Sequence, residues 1–294
     1  MNWTNFHTHT SYCDGRSTPE AFIREALEQD ILSLGFSSHA PLPFPCHWVL
    51  KKEKLTSYVQ EVNKFKSIFE KKIEIFCGLE IDYIPTLHNE VLAVIQSVPL
   101  DYTIGAIHFM DPMPDGQVWT IEADSELFLL GLRKRYDDDV KQLVEAYFRN
   151  TRAMIRALKP SMIAHIDKLK MQHSPQCPIL GDEPFFYEQL METLRVAAQE
   201  GCIVEINTRG TYQGRNAQLF PDPSVLVEMH RMGIPVCVNS DAHGPDELTR
   251  NFRSTYDLLL KAGYETVRVL TKGKWVDIPF SNNGLSKDAL LLVS

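Results

Sequence analysis

Asn5-Phe6-His7-Thr8-His9-Thr10-Ser11-Tyr12-Cys13-Asp14-Gly15 joins a strand ending to a polar loop. A brief strand, Thr4 to His9, ends on alternating histidines, and no glycine-rich dinucleotide or phosphate-binding turn follows it. Period-two geometry points the His7 and His9 rings to the same side, as chelation of one ion requires. Just beyond, Ser17-Thr18-Pro19-Glu20 has capping-box spacing with proline early in the first turn. A helix is predicted through Gln29, with Phe22, Ile23, Ala26 and Leu27 as its apolar stripe.

The same alternation runs outward to the end of the chain. Strands are predicted at Ile31–Phe36, Ile73–Leu79, Tyr102–Ile107, Met162–Ala164, Ile203–Ile206 and Pro235–Val238. Between and after them, helices are predicted over about Lys54–Glu70, His88–Gln96, Asp124–Leu158, Pro184–Glu200, Asp222–Met232 and Asp246–Lys261. Short apolar runs at Val267–Leu270 and Trp275–Ile278 close the chain. Repeated β-then-α units mean a parallel sheet, either open and doubly wound or closed like a TIM barrel. The missing glycine-rich turn favours the barrel, so the expected class is α/β, a single distorted (β/α)7-type TIM-like barrel. No repeat or linker divides the chain, and residues 1–294 are read as one domain.

Composition narrows the function. The 294 residues are 44% hydrophobic and 23% charged, which suits a substantial core, and the net charge of −8 offers no footprint for a nucleic-acid backbone. A phosphate substrate would therefore need metal ions to overcome like-charge repulsion. The start of the chain has no signal-peptide pattern and no stretch is long and apolar enough for a membrane span, so a cytoplasmic protein is expected. Cys13, Cys46, Cys77, Cys177, Cys202 and Cys237 are scattered, which fits reduced thiols better than a zinc ribbon or a disulfide framework.

Of the ten histidines, six follow predicted strands: His7, His9, His39, His108, His165 and His243. Glu80, Glu205, Asn207 and Asp241 occupy equivalent places. In a parallel barrel those ends converge on one face, where imidazoles and carboxylates suit Zn²⁺, Mn²⁺ or Fe²⁺. Of His47, His88, His173 and His230, at least three are expected to be ordinary surface or core residues, with His47 the least settled. The loop Ala40-Pro41-Leu42-Pro43-Phe44-Pro45 either walls the site or is simply rigid, and Asp137-Asp138-Asp139 reads as a solvated helix face.

The ordered set H-x-H-x-x-x-x-D-G (His7 to Gly15), Ser38-His39-Ala40, Gly78-x-Glu80, His108 after a strand, Ala164-His165, Glu205-Ile206-Asn207-Thr208 and Ser240-Asp241-Ala242-His243 resembles the motifs of the PHP phosphoesterases over nearly the full chain. Among them it is most similar to the monofunctional histidinol-phosphate phosphatases. The resemblance implies a distorted barrel with two to three divalent ions at the strand C-terminal face. It places one ion on His7, His9, Glu80 and Asp241, a second on Glu80, His108 and His165, and a third on Asp14, His39 and His243. Family members often carry histidine where Asp14 stands.

The implied reaction is hydrolysis of a phosphomonoester, most closely L-histidinol phosphate, by a water or hydroxide held between cations, with Glu80, Asp241 and His243 as catalytic candidates. Arg209, Arg215, Lys168 and Lys170 are the candidate phosphate contacts. The family's arginine after this motif is replaced by Thr211-Tyr212-Gln213. Glu205, Tyr12 and Tyr212 are further candidates for holding the ammonium and imidazole of histidinol, though for the two tyrosines packing is the expected role. A small-molecule substrate is expected, with no nucleic-acid polymer and no membrane; the oligomeric state is open. The competing readings are another PHP substrate, a metal-dependent amidohydrolase and a non-catalytic metal-binding scaffold. No C-x₅-R, D-x-D-x-T or G-x-S-x-G pattern supports a covalent route.

Overall fold

The computed structural model describes residues 2–179, 183–213 and 218–292. In chain order the elements begin with β1 (Trp3–Asn5), α1 (Pro19–Glu28), β2 (Ile31–Phe36), α2 (Leu55–Phe69), β3 (Glu74–Asp82), α3 (His88–Ile95) and β4 (Tyr102–Ala106). They continue with α4 (Ser125–Tyr136), α5 (Val140–Leu158), β5 (Met162–Ile163), α6 (Pro184–Gln199), β6 (Ile203–Asn207), α7 (Leu226–Arg231), β7 (Val236–Asn239) and α8 (Phe252–Lys261). The end is β8 (Thr266–Thr271), β9 (Lys274–Ser281), β10 (Gly284–Leu285) and α9 (Lys287–Leu292).

Strands β1 to β7 pair in parallel in sequence order. Beyond the ends of β1 and β7, Thr8 forms a parallel bridge with Ala242, and the backbone bonds His9 N to Ala242 O (2.8 Å) and Ala242 N to His7 O (3.1 Å). The sheet thus closes almost into the expected seven-stranded barrel, and the closure runs through the H-x-H segment itself. β1 is shorter than predicted, because His7 and His9 already belong to this rim.

Local chemistry explains the helices. Thr18 caps α1 by accepting from the Ala21 N–H, with Pro19 at the first helical position. The predicted helix over Asp124–Leu158 is two. Asp137 and Asp138 adopt positive φ (50° and 61°), and Asp139 caps α5 by accepting from the Lys141 and Gln142 N–H groups. The three aspartates are solvated as expected, with Asp137 and Asp138 exposed, but they form a helix break and a cap rather than a helix face. Short polar side chains tolerate the left-handed region and reach the orphan N–H groups of a new helix.

The last apolar runs do not extend the barrel. β8 and β9 form an antiparallel hairpin in a separate three-stranded sheet with β10. Trp275 from this hairpin packs edge-on against Phe6 (5.3 Å between centroids) and Tyr102 (6.2 Å), closing the barrel near the N-terminal ends of the strands. Glu74 ties the hairpin to the barrel by accepting from Thr271 Oγ1 (2.7 Å) and Lys272 N (2.9 Å). The Tyr102 ring crosses Gly78, where a Cβ would lie 2.6 Å from it, so only glycine admits the tyrosine. One apolar core runs through both sheets and the helices. With one end plugged, the opposite rim is left for chemistry.

Candidate active site

The strand ends deliver their polar residues to one small volume. His39 pairs with Glu80 beyond the ends of β2 and β3, locked by Ala40 N donating to Glu80 O (2.7 Å). Around Glu80 Oε2 lie three imidazole nitrogens: His39 Nδ1 at 3.0 Å, His7 Nε2 at 3.3 Å and His9 Nε2 at 3.5 Å. All four atoms are buried and none has a hydrogen-bond partner among the described residues. Glu80 Oε1 faces His165 Nε2 at 3.0 Å and His108 Nε2 at 3.7 Å. Asp241 Oδ1 lies 3.2 Å from His9 Nε2 and 3.6 Å from His7 Nε2.

Buried polar atoms without partners are costly unless something else satisfies them. Ligands bound at 2.0–2.2 Å around a tetrahedral ion stand about 3.3–3.6 Å apart, and the separations here are close to that. Imidazole and carboxylate donors without thiolate fit a borderline divalent cation. The residues group as His7, His9 and Asp241; His7, Glu80 and His165; His39, Glu80 and His108; and His9, Asp14, His39 and His243. Glu80 belongs to two of the groups, and His9 joins the outer one beside Asp14.

Electrostatics keep several of the ligands in their metal-binding forms, while at His7 and His108 burial is outweighed by the neighbouring carboxylates, which raise those two rings. Burial, with the His243 and His39 rings beside it, holds His9 well below the ordinary imidazole range. Burial and the Lys168 ammonium push His165 down to about 4. Burial would raise Glu80 and Asp241, but the surrounding imidazoles outweigh it and keep both carboxylates well below their usual range. His165 and Asp241 also hold positive φ (22° and 52°), a strained backbone at the site itself.

A surrounding layer orients the rings, and the sequence did not reveal most of it. Glu205 Oε1 accepts from His7 Nδ1 (2.7 Å) and from Asn239 Nδ2 (3.0 Å), while Oε2 accepts from the His165 N–H (3.0 Å) and Asn207 Nδ2 (2.9 Å). Fully engaged and buried, Glu205 cannot hold a leaving group, which corrects that expectation. Asp82 does the same for His108, accepting at Nδ1 (2.9 Å). The only sequence signal for Asp82 is its place two residues after Glu80, on the same face of β3.

The rim opens into a cavity of about 450 Å³ whose walls include Asp14, His39, His108, Asp241 and His243. Lys168 and Arg209 reach it, and both also line an adjoining cleft with Glu122 and Asp241. Lys168 Nζ is 3.3 Å from His108 Nε2 and 2.5 Å from Glu122 Oε1, and Arg209 Nη1 donates to Asp241 O (3.0 Å). Lys170 is placed elsewhere: its ammonium is buried between Asp167 Oδ2 (2.8 Å), Leu219 O (2.8 Å) and Asp222 Oδ2 (3.4 Å). That corrects its reading as a phosphate contact, and Arg215 lies outside the described residues. Tyr12 and Tyr212 are also turned to protein partners, Tyr12 against Tyr58 and the Tyr212 hydroxyl donating to Ser240 O. Of the histidines set aside, His47 does line the cavity, next to Trp48, whose ring packs edge-on to His39 (4.6 Å). The wall is thus the pair after the proline-rich run, while Pro41, Leu42 and Pro43 line a different groove.

The chain is 26% identical over 265 residues to a "Probable histidinol-phosphatase" of Deinococcus radiodurans, covering 89% of this chain and 94% of that one. It is 25% identical over 250 residues to the histidinol-phosphatase of Bacillus subtilis, covering 81% and 92%. The crystal structure of histidinol phosphate phosphatase from Lactococcus lactis, complexed with zinc, L-histidinol and phosphate, superposes with a TM-score of 0.73 at 20% identity, covering 98% of this chain and 100% of that one. Residues 5–209, the greater part of the chain and the span bearing every candidate ligand except Asp241 and His243, match the PHP domain, and the chain belongs to the PHP family.

Proposed function

We propose that the protein hydrolyses a phosphomonoester, L-histidinol phosphate, to the free alcohol and phosphate, using two or three divalent ions (Zn²⁺, Mn²⁺ or Fe²⁺) held by His7, His9, Asp14, His39, Glu80, His108, His165, Asp241 and His243. The observation that carries this is the set of unpartnered, buried nitrogens converging on Glu80 Oε2 beneath a cavity flanked by Lys168 and Arg209. Divalent cations there supply charge neutralisation and acidify water.

The chain's own residues do the rest. Glu80 is shared by two of the inner groups, with Oε2 toward His7 and His39 and Oε1 toward His108 and His165. Lys168 and Arg209 offer cationic donors to the phosphate oxygens from two loops. His243, with Nε2 3.2 Å from Asp14 and Nδ1 donating to Asp241 O (3.0 Å), lines the cavity wall beside Asp241, whose carboxyl is held ionised. As ligands, neither has a free proton for the leaving alkoxide, so water acidified at the site would supply it. The relatives' names and the histidinol and phosphate of the Lactococcus complex support the substrate. The whole chain, 1–294, is read as one catalytic domain, and six unpaired cysteines favour the cytoplasm. No helix among the described residues is long and apolar enough to cross a membrane.

The test is phosphate release from L-histidinol phosphate by metal-stripped protein restored with each ion, against sugar, nucleotide and aryl phosphates. A kcat/KM of ~10⁴ M⁻¹s⁻¹ or more, well above the others, is expected. Equal, slow turnover of all of them would mean another PHP substrate; inactivity with every ion would return the amidohydrolase. Glu80→Gln should lose turnover by orders of magnitude, which a non-catalytic scaffold could not.

A further inference from the structure

Glu247, which is none of the nine ligands, gathers donors from three of the loops that build the site. Its Oε2 accepts from the backbone N–H of His243 (2.7 Å) and Gly244 (3.2 Å), after β7, and faces Arg209 Nη1 at 3.5 Å, after β6. Its Oε1 accepts from Gln213 Nε2 (2.9 Å) and from Arg16 Nη2 (3.0 Å), the latter in the loop after β1. Arg16 stands two residues beyond Asp14, and its own N–H donates to His243 O (2.7 Å). Glycine at 244 is what lets the guanidinium in: a Cβ there would lie 2.2 Å from Arg16 Nη2 and displace it. Glu247 itself is buried.

These contacts matter most for the outer group, His9, Asp14, His39 and His243. The inner groups are built wholly from buried side chains on or next to strands. Asp14 instead sits in a turn, with its side chain 33% exposed, so the sheet does not fix its distance from His243. The turn's own bonds from Cys13 N and Gly15 N to Thr10 O and the Arg16 N–H bond to His243 O hold it there, and the Arg16–Glu247–His243 bridge ties the two loops together at the side chains.

We propose that Glu247 is a positioning residue that sets the affinity of this outer group for a divalent ion and aims Arg209 across the cavity. The proposal rests on the metal-centre reading above. Carboxylates that orient ligands without binding the ion typically change affinity by about 10- to 100-fold when removed. Glu247→Gln keeps an amide oxygen for the two backbone N–H groups but loses the charge that holds both arginines, whereas Glu247→Ala loses everything.

The experiment is calorimetric titration of metal-stripped wild type, Glu247→Gln, Glu247→Ala and Arg16→Met with Mn²⁺ alone, with thermal melting of each to establish folding. Stronger binding steps should match the wild type in every variant. The weakest step should weaken about 10- to 100-fold in Glu247→Ala, less in the other two. In the loaded enzymes, Arg209's lost orientation should raise KM and the inhibition constant of inorganic phosphate more than it lowers kcat. Unchanged binding of every ion in folded variants overturns the proposal, as does equal weakening of all steps, which would mark a general structural role. If Glu247→Ala does not fold, Glu247→Gln and Arg16→Met decide. Should wild type bind fewer than three ions, the outer site of the metal-centre reading fails first, and this proposal with it.

Discussion

His7 Nδ1 lies 2.7 Å from Glu205 Oε1, which assigns the ring's proton to Nδ1 and turns the unpartnered Nε2 toward Glu80 Oε2 at 3.3 Å. Glu205→Gln keeps the volume and loses the charge that holds this tautomer. Metal affinity and kcat/KM should each fall about 10- to 100-fold, read by metal titration and steady-state kinetics. Wild-type values in both would show that the Glu205 charge does not prepare His7 for ligation.

Metal uptake should release protons and weaken as pH falls. Burial opposes charge on His7, but Asp241, Glu205 and Glu80 outweigh it and raise the ring well above its usual range in the metal-free protein. A ligand whose pKa is raised binds its proton in competition with the cation at and below that pKa, so neutral and acid conditions disfavour loading. Calorimetry in buffers of different ionisation enthalpy measures the protons released. A proton count of zero from pH 6 to pH 8 would contradict the expectation. Once loaded, each ion should stabilise the fold by about 2.7 kcal/mol at a free concentration 100 times its Kd, and chelation should lower Tm accordingly.

The two lysines that sequence alone could not separate should behave oppositely. Lys170→Met strands the buried Asp167 carboxylate, and a loss of about 3–5 kcal/mol in stability is expected with little change in kcat/KM of the folded fraction. Lys168→Met should instead raise KM for the phosphomonoester, with a smaller effect on stability, since its partner Glu122 retains access to water. Urea denaturation paired with kinetics reads both. A reversal of the pattern would place the phosphate on the wrong lysine.

Glu122 should leave a mark on the acid limb of stability. Burial would raise its carboxyl, but Lys168 and the nearby histidines bring it down to about 2. A depressed carboxylate adds stability above its unfolded pKa of about 4.5, and that share is lost as pH falls from there toward 2. Its side chain is 35% exposed, so solvent screens the effect. Melting of the metal-free protein from pH 6 to pH 2.5 should show a shallower fall for Glu122→Gln than for wild type. Parallel curves would mean that the pair contributes nothing.

The alternation of strand and helix was legible because it depends on neighbours in sequence. Phe22, Ile23 and Ala26 lie on one side of a 3.6-residue period and are buried on α1, and Asp222 caps its helix as read, while the cap of α1 is Thr18, one residue after the Ser17 that the Ser17-to-Glu20 spacing implies. The break at Asp137 to Asp139 was missed because acidic residues serve equally on a solvated face, at a left-handed turn or as a cap, and only the path of the chain selects among them. The C-terminal runs were read as apolar correctly, but pairing β8 with β9 and placing Trp275 against Phe6 required the barrel to be built first.

By itself the sequence determined which side chains end the strands, and hence the ligand candidates His7, His9, His39, Glu80, His108, His165, Asp241 and His243, because position along a β/α unit is a local property. The tertiary structure decided everything measured across loops: that Glu205 orients His7, that Glu122 and Trp48 face the cavity, and that Lys168 enters it while Lys170 is locked beneath Asp222. Hydrogen bonds and coordination act over about 3 Å, and residues 168 and 170 differ there only through a short 3-10 helix, Lys168–Gln172, that turns one ammonium toward His108 and the other into the protein.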